Sequence, residues 1–405
     1  MCLNNALTWH GVGNQQDEIN MNVVMFVSNP FTNDARVYAE AKSLIQAGGR
    51  VTVVAWNSKR ENPPRQTWDG IDIVRVWTRL SPKYGAASWL WNGFNLLLWW
   101  RQAYRRALIL SKETRFDVIH CHDFDTLAIG IRLKRKLGLP LIYDAHEIYG
   151  YMVARSLPRW IANMLLWLEK RLVTKADRII NAWEAQRRYF SRVTDRPISI
   201  IMNCKPLQSM EYQPADNEGK FTVLYIGGLH KGRAVPMLVH AVRELTGVQC
   251  LIGGSGHPNY VQALKEECSR ISNATFLGKV PLDEVIPMTG KYDCVFLMID
   301  PADLNNSIAL ANKQFEAMVC GRPIICTKGT YSGEVTEQEE VGLVVEYTEE
   351  ALKQAIIKLR DNPGLREKLG RNALEAAITK YNWQKEEVKL LELYKSLQNE
   401  SQLSG

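Results

Sequence analysis

The feature that most constrains this chain is an alternation of short β-branched runs with segments of helical period, broken once and then resumed. Runs rich in Val and Ile fall at 22–28, 51–55, 71–77, 117–121, 139–143 and 178–181, with helical-period segments at 34–47, 127–137 and 160–175 among them. Strands that alternate with helices form parallel sheets covered on both faces. The pattern lapses at 203–219, which carries Pro206, Pro214 and Gly219, and restarts at 221–226, 248–252, 274–277, 293–298, 323–326 and 343–345. The expectation is α/β architecture: two facing, doubly wound, Rossmann-like domains at 21–204 and 220–382, joined by a linker at 205–219. A length of 405 residues, more than one core usually serves, agrees. Such a pair leaves a cleft at the carboxyl ends of its strands, where ligands of this architecture bind.

The chain ends read differently. Residues 1–20 have no periodicity and are expected to form a disordered extension outside the fold. Residues 383–405 carry Val388, Leu390, Leu391, Leu393, Tyr394 and Leu397, the spacing of an amphipathic helix that packs back on the amino-terminal domain. The eight cysteines form no CxxC or other metal-ligand spacing. Buried reduced thiols, together with the lack of a secretory signal pattern, predict a cytoplasmic protein. Charge is uneven: residues 1–210 hold 29 Lys+Arg against 17 Asp+Glu, and the remainder is net acidic. The first half therefore suits an anionic partner or surface.

A dinucleotide site is the first candidate for a doubly wound sheet, but the residues argue against it. The turn after the first strand, Ser28-Asn29-Pro30-Phe31-Thr32-Asn33-Asp34, has no glycine. The later Gly253-Gly254-Ser255-Gly256 lacks the third spaced glycine and lies outside the first βα unit.

Other local sequences fall into a recognisable order. Asn33-Asp34-Ala35-Arg36-Val37 opens a helix that ends before Gly48. Val118 to Leu127 reads VIHCHDFDTL, and Tyr143 to Glu147 reads YDAHE. The second half opens with Tyr225-Ile226-Gly227-Gly228-Leu229 and Lys231-Gly232-Arg233, and later carries Asn312-Lys313-Gln314-Phe315-Glu316-Ala317-Met318 before Gly321-Arg322-Pro323. Over nearly the whole chain after Met21 this series resembles the retaining nucleotide-sugar glycosyltransferases of family 4 (group 1), which have the GT-B fold.

The resemblance implies roles for particular residues. Arg233, or Lys231 beside it, is the cation for the donor diphosphate, near Gly227, Gly228 and Gly254. Gly228 stands where many members carry Arg. Glu316 is the ribose-holding carboxylate, with Asn312 and Lys313 at the same helix start, and Lys313 a further phosphate ligand. The second family Glu, eight positions before Glu316, is Ile308 here. His146 is the histidine that reaches the donor sugar across the cleft. His122, Asp123, Asp144 and Glu147 follow strands of the first domain and, with Asn33 and Asp34, belong to the acceptor side. Asn33, Asp34 and Asp123 are also ordinary capping residues. Cations and helix-end amides neutralise a leaving diphosphate without a metal, so no metal or cofactor is expected beyond the nucleotide-sugar donor. Retention through a departing phosphate oxygen needs no dedicated protein base. The reaction expected is hexosyl transfer to a glycan or lipid-linked acceptor. Rival readings are a catalytically silent glycan-binding or scaffold protein of the same fold, motivated by Gly228 and Ile308, and a nucleotide-sugar epimerase.

A membrane signal accompanies these motifs. Between Ile73 and Lys112 lie seven cations and no acid, with five of the twelve tryptophans. Trp89, Trp91, Trp99 and Trp100 beside Arg101, Arg105 and Arg106 suit the headgroup layer of an anionic membrane. Peripheral association with the inner face of the membrane is expected, and no module for nucleic acid is recognisable.

Overall fold

The computed structural model describes residues 18–32, 34–78, 88–154, 157–216 and 219–403. The amino lobe begins with β1 (Asn22–Val27), α1 (Ala35–Gln46), β2 (Arg50–Trp56), β3 (Arg65–Trp68) and β4 (Ile71–Val76). It continues through α2 (Ser88–Glu113), β5 (Val118–His122), α3 (Phe124–Leu137), β6 (Leu141–Ala145), α4 (Tyr149–Val153) and α5 (Arg159–Val173). Strand β7 (Arg178–Asn181), helix α6 (Glu184–Phe190) and strand β8 (Ile198–Ile200) complete it.

The carboxyl lobe opens with β9 (Phe221–Leu229), α7 (Val235–Val242), β10 (Val248–Gly256), α8 (Pro258–Ser269) and β11 (Ala274–Gly278). Next come α9 (Leu282–Lys291), β12 (Cys294–Leu297), α10 (Leu304–Ile308), α11 (Asn312–Val319) and β13 (Ile324–Thr327). The last elements are α12 (Tyr331–Gln338), β14 (Gly342–Val345), α13 (Glu349–Asp361), α14 (Pro363–Thr379) and α15 (Trp383–Leu403).

The strand orders are β3-β4-β2-β1-β5-β6-β7-β8 and β11-β10-β9-β12-β13-β14. Among the described residues every pairing is parallel except that of β3 with β4. Both sheets are doubly wound. The chain leaves β1 toward β2 and later crosses to β5; it leaves β9 toward β10 and later crosses to β12. Loops diverge at these reversals, which is where an α/β sheet opens a crevice.

Strand β1 shows why its residues are apolar on both sides. Val23, Met25 and Val27 pack with Val37, Ala41 and Leu44 of α1, whereas Val24 and Phe26 pack with Trp99 and Ala103 of α2 and Leu127 of α3. Helix α15 joins the first of these cores through Trp383, Leu390, Leu393 and Tyr394, and the Trp383 indole N–H donates to Ser43 Oγ at 3.0 Å. Two segments therefore cross between the lobes. They run side by side, with a parallel bridge at Lys205 and Asn382 and a hydrogen bond from Met202 N–H to Glu386 Oε2 at 2.8 Å.

Two expectations change. Ile19 is fully buried in the first core and its N–H donates to Ala47 O at 2.8 Å, so the fold starts before Met21; residues 1–17 lie outside the described residues. The tryptophans of α2 do not face outward as a group. Trp99 is fully buried and stacks on Trp56 with centroids 5.5 Å apart. Trp91 and Trp100 are half-buried, and the Trp100 indole donates to Asp125 O. The Trp89 side chain lies outside the described residues. The exposed apolar groups of α2 are Leu90, Phe94, Leu97 and Ile109; Arg101 and Arg105 are exposed and Arg106 is half-buried. Arg75, another cation of that segment, is buried and holds Pro30 O at 2.8 Å.

Candidate functional site

The carboxyl ends of the two central strand pairs enclose a cleft of about 590 Å³ between the lobes. Gly227, Gly228, Arg233, Gly254, Asn312, Lys313 and Glu316 line it from one side, and Asp34, Asp123, His146 and Glu147 from the other. Arg233 and Glu316 thus face the same space.

On the carboxyl wall the glycines set the geometry. A Cβ on Gly254 would stand 1.8 Å from Gly227 O, so the ends of β9 and β10 meet only without side chains there. A Cβ on Gly227 would stand 2.6 Å from Lys313 Nζ, so this glycine gives the lysine its place. Lys313 lies 4.5 Å over the Tyr225 ring, and burial, then the nearby Arg233 charge, lowers its ammonium to about 7. Helix α11 starts at Ala311 without a side-chain cap, leaving its first amides turned to the cleft with Asn312 and Lys313. One turn on, Glu316 is buried and its Oε1 lies 3.5 Å from Lys205 Nζ. Lys231 is exposed and does not line the cleft. Ile308, at the position of the family's second Glu, packs instead against the amino lobe's core, beside the α10–α4 contact.

On the amino wall, Asp34 caps α1 by accepting the Val37 N–H at 3.2 Å; Asn33 lies outside the described residues. Asp123 has a left-handed backbone, φ 62°, and its Oδ1 accepts the His146 N–H at 3.1 Å, so it caps the neighbouring loop rather than α3. The His146 ring is held on both sides, Nδ1 3.3 Å from Asp123 Oδ2 and Nε2 3.0 Å from Asp144 Oδ2. Burial pulls the imidazolium down, but the two aspartates outweigh it and raise it to about 10. Burial likewise raises Asp123, to about 7.

His122 and Asp144 do not reach the cleft. His122 ends β5 and Asp144 lies one residue before the end of β6, and they form a buried layer behind His146, with His122 Nδ1 3.1 Å from Asp144 Oδ2. Arg36 grips Asp144 from α1 and holds that carboxyl far below its usual range despite burial. Glu40, one turn along, lies 3.2 Å from Arg36 Nε and is raised by burial and by Asp144. Glu40, His120, His122 and Asp144 bring ligand-type atoms within 4.8 Å of one another. Arg36 engages both Asp144 oxygens and lies beside one of Glu40, so a guanidinium charge stands within this set.

Several lining residues were not anticipated. Arg36 and Trp183 come from the amino lobe, Asn203 and Lys205 from the crossing segment, and Ser255, Lys279, Asn305 and Asn306 from the carboxyl lobe. Arg36 stood inside a quoted motif and Ser255 inside the glycine run; the others carried no local signal.

The profile of the Glycosyl transferase 4-like domain matches residues 34–203, and that of Glycosyl transferases group 1 matches residues 220–362. The chain belongs to the group 1 glycosyltransferases. An uncharacterized glycosyltransferase of Methanocaldococcus jannaschii is 24% identical over 298 residues, 73% of this chain and 80% of its own. In fold, this glycosyltransferase is similar to sucrose-phosphate synthase from Thermosynechococcus elongatus, with a TM-score of 0.76 and 18% identity over 93% of this chain and 99% of the other. It is also similar to Anabaena HepE in complex with UDP-glucose, with a TM-score of 0.70 and 14% identity over 93% of this chain and 100% of the other. The two parallel-sheet lobes are those of a GT-B glycosyltransferase.

Proposed function

We propose that this glycosyltransferase moves a hexosyl group from a nucleotide-diphosphate sugar to a glycan or lipid-linked acceptor, with retention of configuration, at the cytoplasmic face of the membrane. One observation carries the reading. Arg233, Lys313, Glu316 and the open amino end of α11 line one wall of a cleft whose other wall presents His146 and Asp123.

In this scheme the bond between the sugar's anomeric carbon and the diphosphate oxygen breaks, and negative charge collects on the leaving oxygen. Arg233, the protonated Lys313 and the α11 amides stabilise that charge in place, without a divalent metal. The acceptor hydroxyl attacks from the same face, and its proton passes to the departing phosphate oxygen. Glu316 accepts the ribose hydroxyls, with Lys205 beside it. His146 is protonated between two carboxylates and so presents positive charge to the donor rather than a free basic nitrogen. Closure about the paired crossing segments assembles the two walls.

Membrane association is supported by the exposed Arg101 and Arg105 of α2 and the apolar groups on the same helix. None of the described helices is long and apolar enough to cross a membrane, so the association proposed is peripheral.

The test is nucleotide release from a panel of nucleotide sugars, uridine diphosphate sugars first, with membrane extract as acceptor. Wild type is expected to turn over and Glu316→Ala to lose most of that turnover. Unchanged turnover in the variant would remove Glu316 from the mechanism. Donor binding by wild type without any turnover would favour the catalytically silent reading.

A further inference from the structure

Helices α2 and α5 share an arrangement that the cleft chemistry does not use. On α2, Leu90, Phe94 and Leu97 are exposed, and Arg101 and Arg105 continue the stripe. On α5, Trp160, Met164 and Trp167 are exposed, and Lys170 and Arg171 follow, with the Arg171 guanidinium 5.0 Å over the Trp167 ring. Steps of three and four residues place each stripe along one side of its helix. The opposite sides already pack in one core, α2 through Trp99, Ala103 and Ala107 and α5 through Leu165, Leu168 and Val173. A helix that is apolar toward its core and again toward solvent has a second apolar phase to meet.

Topology aligns the two stripes. Helix α2 leads from β4 to β5 and α5 from β6 to β7, all strands of one parallel run. Crossover helices run against their strands, so both helices start at the strands' carboxyl ends, beside the cleft. Their apolar halves therefore lie on the cleft side and their cationic halves behind. Helix α4 packs on α5, and its Met152 lines the cleft.

Helix α3 lies between them, and a groove of about 620 Å³ separates it from α2. Leu97, Trp100 and Tyr104 form an apolar wall in it, and Arg101, Arg105 and Arg132 stand over it. These arginines are exposed, and among the described residues no carboxylate pairs with them. Guanidinium groups bind phosphate oxygens in pairs, and an apolar wall beside them suits the stem of a lipid.

We infer that the α2–α3 groove binds the phosphate headgroup of an anionic bilayer lipid, while the apolar ends of α2 and α5 enter the interface on either side. This rests on the membrane-facing reading above and adds to it the ligand, the groove and α5. The cleft mouth then faces the bilayer plane, and a lipid-linked acceptor reaches the site without leaving the membrane.

The experiment is co-sedimentation of the full chain with vesicles of phosphatidylcholine alone or with phosphatidylglycerol added. Wild type is expected to prefer the anionic vesicles and to be released by salt. Arg132→Gln should weaken that binding about fivefold, and the combined Arg101→Gln, Arg105→Gln and Arg132→Gln variant roughly a hundredfold. Trp160→Ala with Trp167→Ala should cost about tenfold, from apolar insertion lost, and Lys265→Gln on α8 should change nothing. Circular dichroism and melting temperature verify that the variants fold. Anionic binding that the triple arginine variant leaves intact would overturn the groove while membrane association stands. Equal binding to both vesicle types would reject a groove selective for an anionic lipid. Absence of binding to either would overturn the membrane reading itself, with nucleotide release still reporting on the donor cleft.

Discussion

Arg36 holds both oxygens of Asp144 with one edge of its guanidinium, Nε to Oδ2 at 2.9 Å and Nη2 to Oδ1 at 2.8 Å, while Nη1 donates to Ile201 O at 2.8 Å. One buried side chain thus joins α1, the end of β6 and the start of the segment that crosses to the second lobe. Asp144 in turn holds His146, so the cleft-facing imidazolium is positioned from three elements at once.

Removing that guanidinium leaves Asp144 buried with the donor to its Oδ1 lost and only the His146 imidazolium to offset its charge. Arg36→Met is expected to destabilise the protein by about 3–5 kcal/mol, the cost of breaking a buried pair from one side. Arg36→Lys should recover part of this, since it restores charge but not the paired hydrogen bonds. Urea unfolding measures both; a loss in Arg36→Met below about 1 kcal/mol, the range of exposed pairs, would contradict the assignment.

The His146 contacts predict a direction with pH. Its folded value of about 10 exceeds the ordinary 6.5, so the proton is held more tightly in the folded protein. The stabilisation is complete below 6.5 and is lost as pH rises through about 10. The melting temperature of wild type should therefore exceed that of His146→Gln most in mild acid, and the gap should narrow between these values. A gap that stays constant or widens would show that the aspartates do not hold a charged ring.

Lys313 gives the opposite kind of pH signal, in binding. Burial and Arg233 lower it to about 7, so the free enzyme loses this positive charge as pH rises past neutrality, while a nucleotide-diphosphate sugar keeps its own charge. Donor affinity should be flat below about 7 and fall by up to tenfold per unit above it. Lys313→Met should bind more weakly and without that slope. Calorimetric titration across pH checks this, and a slope persisting in the variant would assign it to another group.

The strand–helix alternation was enough to read the central strands of both sheets and the cleft, because parallel strands are apolar on both faces and helices are not; the edge strands β3 and β8 were missed, since they are short and not fully buried. The cleft residues of the carboxyl lobe were legible for a related reason: glycines and charges cluster where β9 and β10 end and α11 begins. The amino wall was harder. Asp144 and His146 are two positions apart, yet the first belongs to the last turn of the pleat in β6 and points inward, while the second follows the strand and reaches the cleft. Trp99 had a readable place, since Trp99, Ala103, Ala107 and Leu110 recur at helical spacing and all are buried. A count of tryptophans beside arginines obscured that stripe. The partners of Arg36 were not legible, because Asp144 stands 108 positions away and nothing local to α1 points to it.

Gly228 offers a gain rather than a loss. It lines the cleft, it is exposed, and a Cβ there would meet only His230 Cδ2 at 3.9 Å within contact range. An arginine at this position, as in many family members, has room to extend toward the space that Arg233 and Lys313 already face. Gly228→Arg should leave stability within about 0.5 kcal/mol, as a surface change does. It should tighten nucleotide diphosphate binding about fivefold to tenfold through an added charge-assisted hydrogen bond. Gly254→Ala is the contrast. It adds far less bulk but directs it at Gly227 O, 1.8 Å away, and should lower the melting temperature by several degrees. If Gly228→Arg folds normally and donor affinity does not rise, the diphosphate does not lie on this side of β9, and the donor pose built on Arg233 is wrong.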